Sequence, residues 1–167
     1  MADLHWNLLP YESIGPLRFG MSPKEVETVL GPAEKRIEGS KQFAYDDLMM
    51  KLFGNRDTEH RTANLPIVSY ENNKLIEVEF HEKIINIFLE EKELFSLNRK
   101  KLLDYLSTFG GEIYDSGDTY IFISLGISTG HIEFINENKS IVVFSRNAFD
   151  KIIEEFDYDK KEPGEWE

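Results

Sequence analysis

The chain contains no cysteine, so neither a disulfide framework nor a thiolate site can form. It also lacks any apolar run of about 18 residues, the length that a membrane-spanning helix needs. No basic stretch followed by an apolar run marks a signal peptide near Met1. We therefore expect a soluble, cytoplasmic protein.

Basic residues are scarce beside acidic ones. The chain has 19 Lys and Arg against 31 Asp and Glu, which gives a net charge of −12. A field of this sign repels nucleic acid and anionic membranes at long range and attracts basic proteins. We expect no nucleic acid and no membrane among the partners.

Residue patterns for metal binding or catalysis are also few. The four histidines form no closely spaced pair, and no phosphate-binding glycine loop is present. Residues 126–130 match Gly-x-Ser-x-Gly, but a strand rather than a helix is expected to follow, which favours a hairpin turn. The best acid–base cluster is Asp57, Glu59 and His60, interpreted as part of a solvated loop. We predict a protein that is not an enzyme and has no metal and no cofactor.

Aromatic residues, by contrast, make up 13% of the 167 residues, enough for a sizeable core. Two helices are well marked at their starts. Ser22, Pro23 and Glu25 form a capping-box pattern that Gly31 closes, and Asn98 caps a second helix that ends at residues 110–111. A third helix is predicted near residues 147–156. The residues expected to form strands are 43–53, 67–70, 75–80, 84–89, 113–114, 120–125, 132–135 and 141–144.

The pattern predicts an α+β fold with antiparallel sheet and helices packed on one face. Residues 1–157 form the single domain, residues 54–66 a long exposed loop, and residues 158–167 a frayed acidic tail. Residues 67–80 align with residues 132–145 at a shift of 65, which suggests a tandem helix–hairpin repeat with halves 13–90 and 94–156. In this alignment the acidic Glu77 and Glu79 match the apolar Val142 and Phe144, so the final helix is expected to cover the second hairpin.

The segment 13–26, followed by Leu30-Gly31-Pro32, resembles the opening of immunity proteins from contact-dependent growth inhibition and related polymorphic-toxin systems. Its helix signature is also similar to that of helix-on-sheet proteins related to β-lactamase inhibitory proteins and outer-membrane assembly lipoproteins. The latter need a lipidated cysteine, which this sequence lacks.

The resemblance implies an inhibitor that covers the basic active-site surface of a bacterial toxin, with a nuclease expected. Acidic groups on faces taken as exposed, together with two aromatic anchors, are the candidate contacts. They are Asp57, Glu59, Glu77, Glu79, Asp115, Asp118, Tyr70 and Tyr120. The alternative functions are a non-catalytic protein-binding or scaffold domain, either monomeric or homodimeric, and an enzyme of unrecognised type.

Overall fold

The computed structural model describes residues 5–81, 84, 86–117, 119–130 and 140–166. This part of the chain forms five α-helices and two sheets, which confirms the α+β class. The helices are α1 (Pro23–Leu30), α2 (Gly39–Gln42), α3 (Asp47–Phe53), α4 (Arg99–Ser107) and α5 (Asp150–Phe156). The strands are β1 (Trp6–Leu9), β2 (Ser13–Ile14), β3 (Leu17–Arg18), β4 (Lys35–Ile37), β5 (Arg56–His60), β6 (Ile67–Glu71), β7 (Lys74–His81), β8 (Ile87–Leu89), β9 (Lys92–Glu93), β10 (Ile113–Asp115), β11 (Thr119–Phe122), β12 (Ile127–Gly130), β13 (Ser140–Phe144) and β14 (Asp159–Lys161).

The larger sheet is antiparallel throughout, in the order β14-β10-β11-β12-β13-β7-β6-β5-β4. The smaller sheet has the order β3-β2-β1-β8-β9, with β1 and β8 parallel. One face of the larger sheet packs with α1 and α4 into the main core, where Val26, Val78, Leu106 and Val143 are buried. We call this the inner face and the opposite side the outer face.

Strands β7 and β13 join at the centre of the larger sheet, and their register agrees with the proposed repeat. Val78 lies opposite Val143, the residue 65 positions later, so an approximate two-fold axis passes through this pair. The chain runs α1, β4, β5, β6, β7 on one side of the axis and α4, β10, β11, β12, β13 on the other. Helices α2 and α3 are an insertion between β4 and β5. Residues 131–139, which include part of the second predicted hairpin, lie outside the described residues.

The predicted helix starts are confirmed. The Ser22 hydroxyl accepts from the Glu25 amide at 3.2 Å, and the Glu25 carboxylate accepts from the Ser22 amide at 3.1 Å. Asn98 caps α4 by accepting from the Lys101 amide at 2.9 Å. The first hairpin is confirmed too, since Asn72 and Asn73 have φ of 53° and 61°, as a tight turn between twisted strands requires.

The predictions for three long segments are wrong. Residues 43–53 hold a helix rather than strands, because Asp46 caps it and its apolar side chains recur at helical spacing, a pattern that a short apolar run does not resolve. The expected loop at 54–66 contains β5, whose charged side chains find partners on β4 and β6. The tail is ordered through β14 and Trp166, whose ring packs edge-on against Tyr120 at 5.2 Å.

Candidate functional site

The outer face of the larger sheet changes character at the boundary between β7 and β13. Ser69, Glu77 and Phe144 lie side by side on adjacent strands, and only Phe144 is apolar. Helix α5 covers the apolar part, because the ring centroids of Phe144 and Phe149 are 4.3 Å apart. The predicted cover is thereby confirmed for Phe144, and helices lie on both faces of the sheet rather than on the one face expected from the sequence.

A groove, which we call the helix groove, runs between α3 and α5 on this outer face. Leu52 of α3 and Ile152 of α5 both border it. It contains two adjoining chambers that share Arg56 and Ile152 in their walls. We call them the aromatic chamber and the basic chamber.

The aromatic chamber has a volume of about 300 Å³ and is floored by Thr58, Ser69 and Glu77. Its aromatic walls are Phe43, Phe53, Phe149 and Tyr158. A cavity lined by rings with a few polar groups on its floor is the usual form of a small-molecule site. The chamber can therefore hold a flat apolar group and offer it hydrogen bonds from below.

Glu77 is the acidic group of the aromatic chamber. Desolvation by burial raises the pKa of this carboxyl, and the neighbouring Glu79 raises it further. Arg56 and the Ser69 hydroxyl act in the opposite direction. Within the described residues, no basic side chain lies within ion-pair distance of Glu77. The carboxyl thus binds its proton more tightly than an exposed glutamate does.

Arg56 stands between the two chambers and is held rigidly. Its Nε donates to Glu71 at 3.1 Å, its Nη2 donates to the Ala148 carbonyl, and its guanidinium lies 5.6 Å from the centre of the Phe53 ring. The side chain is only 12% exposed. Its third nitrogen, Nη1, makes no hydrogen bond to any described residue. A fixed guanidinium with a spare donor is a pre-organised anion contact.

The basic chamber, of about 190 Å³, collects positive charge in an acidic protein. Its charged lining consists of four cations, Lys51, Arg56, Arg146 and Lys151, and one acid, Glu71. Glu71 is already paired with Arg56. The chamber therefore carries a local excess of three positive charges, whereas the chain as a whole carries −12.

The groove is flanked by exposed apolar side chains. Of the six large hydrophobic residues that the described chain exposes, four belong to α3, the residue before its cap, and α5. They are Tyr45 at 76%, Leu48 at 36%, Met50 at 38% and Phe156 at 41% exposure. Exposed acids lie among them: Asp46, Asp47, Glu154, Glu155 and Asp157. We call these nine residues the apolar–acidic rim.

Three of the eight contacts predicted from the sequence belong instead to an ionic network on the inner face, namely Asp57, Glu59 and Tyr70. Glu59 accepts from the Tyr70 hydroxyl at 2.8 Å and pairs with Arg36 at 2.9 Å and Arg61 at 3.3 Å. Asp57 also pairs with Arg36, at 3.0 Å. Glu59 and Tyr70 are 7% and 1% exposed, so the expectation that they lie on an exposed face is wrong. Burial and the Glu59 carboxylate raise the pKa of Tyr70.

The remaining predicted contacts do not meet at one place. Tyr120 is buried beneath Trp166, so the exposed aromatic anchor expected there is wrong. Asp115 is half-buried, accepts from the Gly117 amide at 2.8 Å and lies 3.8 Å from Lys161. Glu79 is half-buried on the outer face beside Val142, and Asp118 lies outside the described residues. Glu77 alone lines the helix groove.

Sequence reasoning missed the groove because it assigned α3 to strands. In a helix, Lys51 and Leu52 lie three and four residues after Leu48, so the three side chains share one face. The partnership of Lys51 with Lys151 carries no sequence signal, since 100 residues separate them.

The structure shows where the residues of the catalytic and metal-binding patterns lie. Ser128 is buried in β12 between two antiparallel neighbours and does not lie on a strand-to-helix elbow. The hairpin turn expected at residues 126–130 is wrong, because residues 127–130 form this strand and the turn precedes it. The searched part of the chain holds no group of three or more His, Cys, Asp or Glu side chains placed to share a metal ion. Among the described helices, none has the length and apolar character to cross a membrane.

No protein-family model, no curated protein and no solved structure matches this chain.

Proposed function

We propose that this protein binds a basic protein toxin of bacterial origin, with a nuclease expected, and neutralises it as an immunity protein does. The apolar–acidic rim is the observation that carries the proposal. Affinity in protein interfaces comes from a few apolar or aromatic anchors that become buried, whereas surrounding charges guide association and select the partner. The rim offers both kinds of residue on two neighbouring helices.

Charge supports a basic partner. A protein with a net charge of −12 attracts a basic domain over a distance of about one Debye length, close to 10 Å at 0.1 M salt. Once docked, acids of the rim such as Asp47 and Glu155 would face the cations with which a nuclease holds its substrate. Covering those cations inhibits the toxin without any catalytic step by the inhibitor.

Capture from the native bacterium tests the proposal. The tagged chain is incubated with lysate at about 50 mM salt and eluted at about 500 mM, a step that screens charge attraction strongly. We expect a stoichiometric basic protein in the eluate, identified by mass spectrometry, whose toxic activity the chain abolishes. A captured protein that keeps its full activity in the complex would contradict the proposal.

A pair of variants connects the captured partner to the rim. Tyr45→Ala removes the most exposed aromatic ring among the described residues, and we expect it to weaken the complex at least tenfold, as loss of an anchor of about 1.4 kcal/mol or more does. Leu9→Ala is the matched control, because Leu9 is 54% exposed and lies in the smaller sheet. Equal affinity of both variants would place the interface elsewhere.

The same exposed apolar side chains also favour the alternative of a homodimeric scaffold. Analytical ultracentrifugation separates the two functions. A monomer at all concentrations is the result expected for the inhibitor. A concentration-dependent dimer that Tyr45→Ala disrupts, together with no captured basic protein, would favour the scaffold.

A further inference from the structure

We propose that the helix groove binds a small phosphorylated aromatic ligand, with the phosphate in the basic chamber and the ring in the aromatic chamber. This site does not depend on the proposed inhibitor function. It rests on the fixed guanidinium of Arg56, on the local reversal of charge and on the continuity of the two chambers.

The hydrogen-bond donors of the basic chamber indicate where the phosphate of the ligand binds. Arg56 is held in place by Glu71 and by the Ala148 carbonyl, and its Nη1 is left for a ligand. Lys51 and Lys151 are exposed on opposite walls, and neither is within ion-pair distance of a described carboxylate. One guanidinium and two ammonium groups around a single chamber suit a dianion better than a carboxylate, because each added charge gains a partner.

The other charged groups near the basic chamber do not cancel this arrangement. Arg146 lies 4.3 Å from the centre of the Tyr11 ring and adds to the positive potential. Glu154 and Glu155 line the adjoining end of the groove together with Lys51 and Lys151, and they reduce the local positive excess from three charges to one without forming an ion pair with either lysine. Glu71 is the single acid of the lining, and the guanidinium of Arg56 already neutralises it.

The aromatic chamber, which shares Arg56 with the basic chamber, is where the ring of the ligand binds. The rings of Phe43 and Phe53 lie 5.3 Å apart and form one wall, and Phe149 and Tyr158 form the other. A volume of about 300 Å³ accommodates one or two fused rings. On the floor, the Ser69 hydroxyl is hydrogen-bonded to both Thr58 and Glu77, and the oxygen atoms of this chain keep lone pairs that can accept from polar atoms on the ring edge.

Isothermal titration calorimetry of the full chain with three probes tests the site. The probes are inorganic phosphate, which presents only the anion, benzyl alcohol, which presents only the ring, and phenyl phosphate, which presents both. We expect saturable binding of phenyl phosphate at one site, at least tenfold tighter than that of phosphate, because burying the ring adds apolar burial to the charge contacts. No saturable binding of phenyl phosphate, or binding no tighter than that of phosphate, would overturn the proposal.

Variants locate the binding. The double variant Lys51→Gln/Lys151→Gln is expected to weaken phenyl phosphate about tenfold, as the loss of two exposed charge contacts does. Lys24→Gln/Lys101→Gln makes the same charge change at two exposed lysines of α1 and α4, the helices of the inner face, and should leave affinity unchanged. An equal loss of affinity in both double variants would mean that only the net charge of the protein matters, and it would overturn the placement of the phosphate in the basic chamber.

A third variant separates the chambers. Phe43→Leu keeps an apolar side chain at a half-buried position and should remove the advantage of phenyl phosphate over phosphate. An unchanged advantage would overturn the placement of the ring. A phosphotyrosine peptide that binds as tightly as phenyl phosphate would identify the source as a phosphorylated protein, whereas failure of the peptide beside binding of phenyl phosphate would identify a free small molecule.

Discussion

Two glutamates that the sequence places on exposed surfaces have different environments in the folded protein. Glu59 lies on the inner face and is stabilised by Arg36, Arg61 and the Tyr70 hydroxyl. Glu77 lies on the outer face, where burial raises its pKa and no described cation pairs with it. The sequence predicts a solvated loop around Glu59 and a wet strand face for Glu77, so it predicts exposure for both. Partners on other strands make the difference.

Glu77→Gln is predicted to stabilise the protein at neutral pH. A raised carboxyl pKa means that the folded state holds the proton of Glu77 more tightly than the unfolded state does. The protonated carboxyl therefore stabilises the fold below the ordinary pKa of about 4.3, and this stabilisation is lost as the pH rises through the pKa of the folded state. The amide removes this loss. We expect a gain on the order of 1 kcal/mol at pH 7.5, reduced by the openness of the chamber, and no gain at pH 4.

Urea unfolding at the two pH values measures this effect. Glu12→Gln removes the same charge from an exposed side chain and is the matched control. A Glu77→Gln protein that is equally stable at pH 7.5 and gains at pH 4 would show the opposite linkage and contradict the assigned direction of the pKa shift.

At the scale of elements, helix boundaries follow from local chemistry. The capping box at Ser22 and the cap at Asn98 need only residues three positions away, and both form. Helix α3 has a cap of the same kind, Asp46 to the Met49 amide at 2.9 Å. Its sequence was nevertheless assigned to strands, because seven residues rich in Leu, Met and Phe do not distinguish the two periodicities. The location of the groove follows from this one helix.

Ser22→Ala is predicted to destabilise the protein by about 1 kcal/mol, the usual cost of losing an N-cap. The change leaves the Glu25 amide without its side-chain acceptor at the start of α1. Thr28→Ala, within the same helix, should cost much less, since its hydroxyl bonds only to the Lys24 carbonyl of the preceding turn. Chemical denaturation measures the free energy of unfolding of both variants. An equal loss of stability in the two would mean that the cap has no special role.

At the scale of the whole molecule, the C-terminal segment completes the inner core. Strand β14 pairs with β10, and Trp166 then reaches Tyr120 and Phe122 at 5.2 and 6.2 Å. Its indole Nε1 donates to Asp104 of α4 at 2.7 Å. The segment thus connects the outermost strand of the larger sheet with a helix of the inner face, although its composition of acids and one tryptophan predicted a frayed tail.

Trp166→Ala is predicted to lower the free energy of unfolding by about 2 kcal/mol, less than the cost of a fully buried tryptophan because the ring is half-buried. Trp166→Phe keeps a ring against Tyr120 and loses the bond to Asp104, so we expect a smaller loss. Thermal unfolding followed by circular dichroism measures both. A Trp166→Ala protein as stable as the original would mean that the tail is not part of the core.

The local rules of the sequence were sufficient for the α+β class, the capped helices α1 and α4 and the Asn72-Asn73 hairpin, because capping, turn geometry and alternation act over four residues or fewer. The need for a cover over Phe144 followed from the alignment of the two hairpins. The role of the charged residues was beyond those rules. Glu59, Tyr70 and Arg36 form a network, and Lys51 and Lys151 share a chamber, through contacts between residues 11 to 100 positions apart. Burial of a charge depends on partners that the chain brings together only when β7 pairs with β13 and α3 and α5 settle on the outer face.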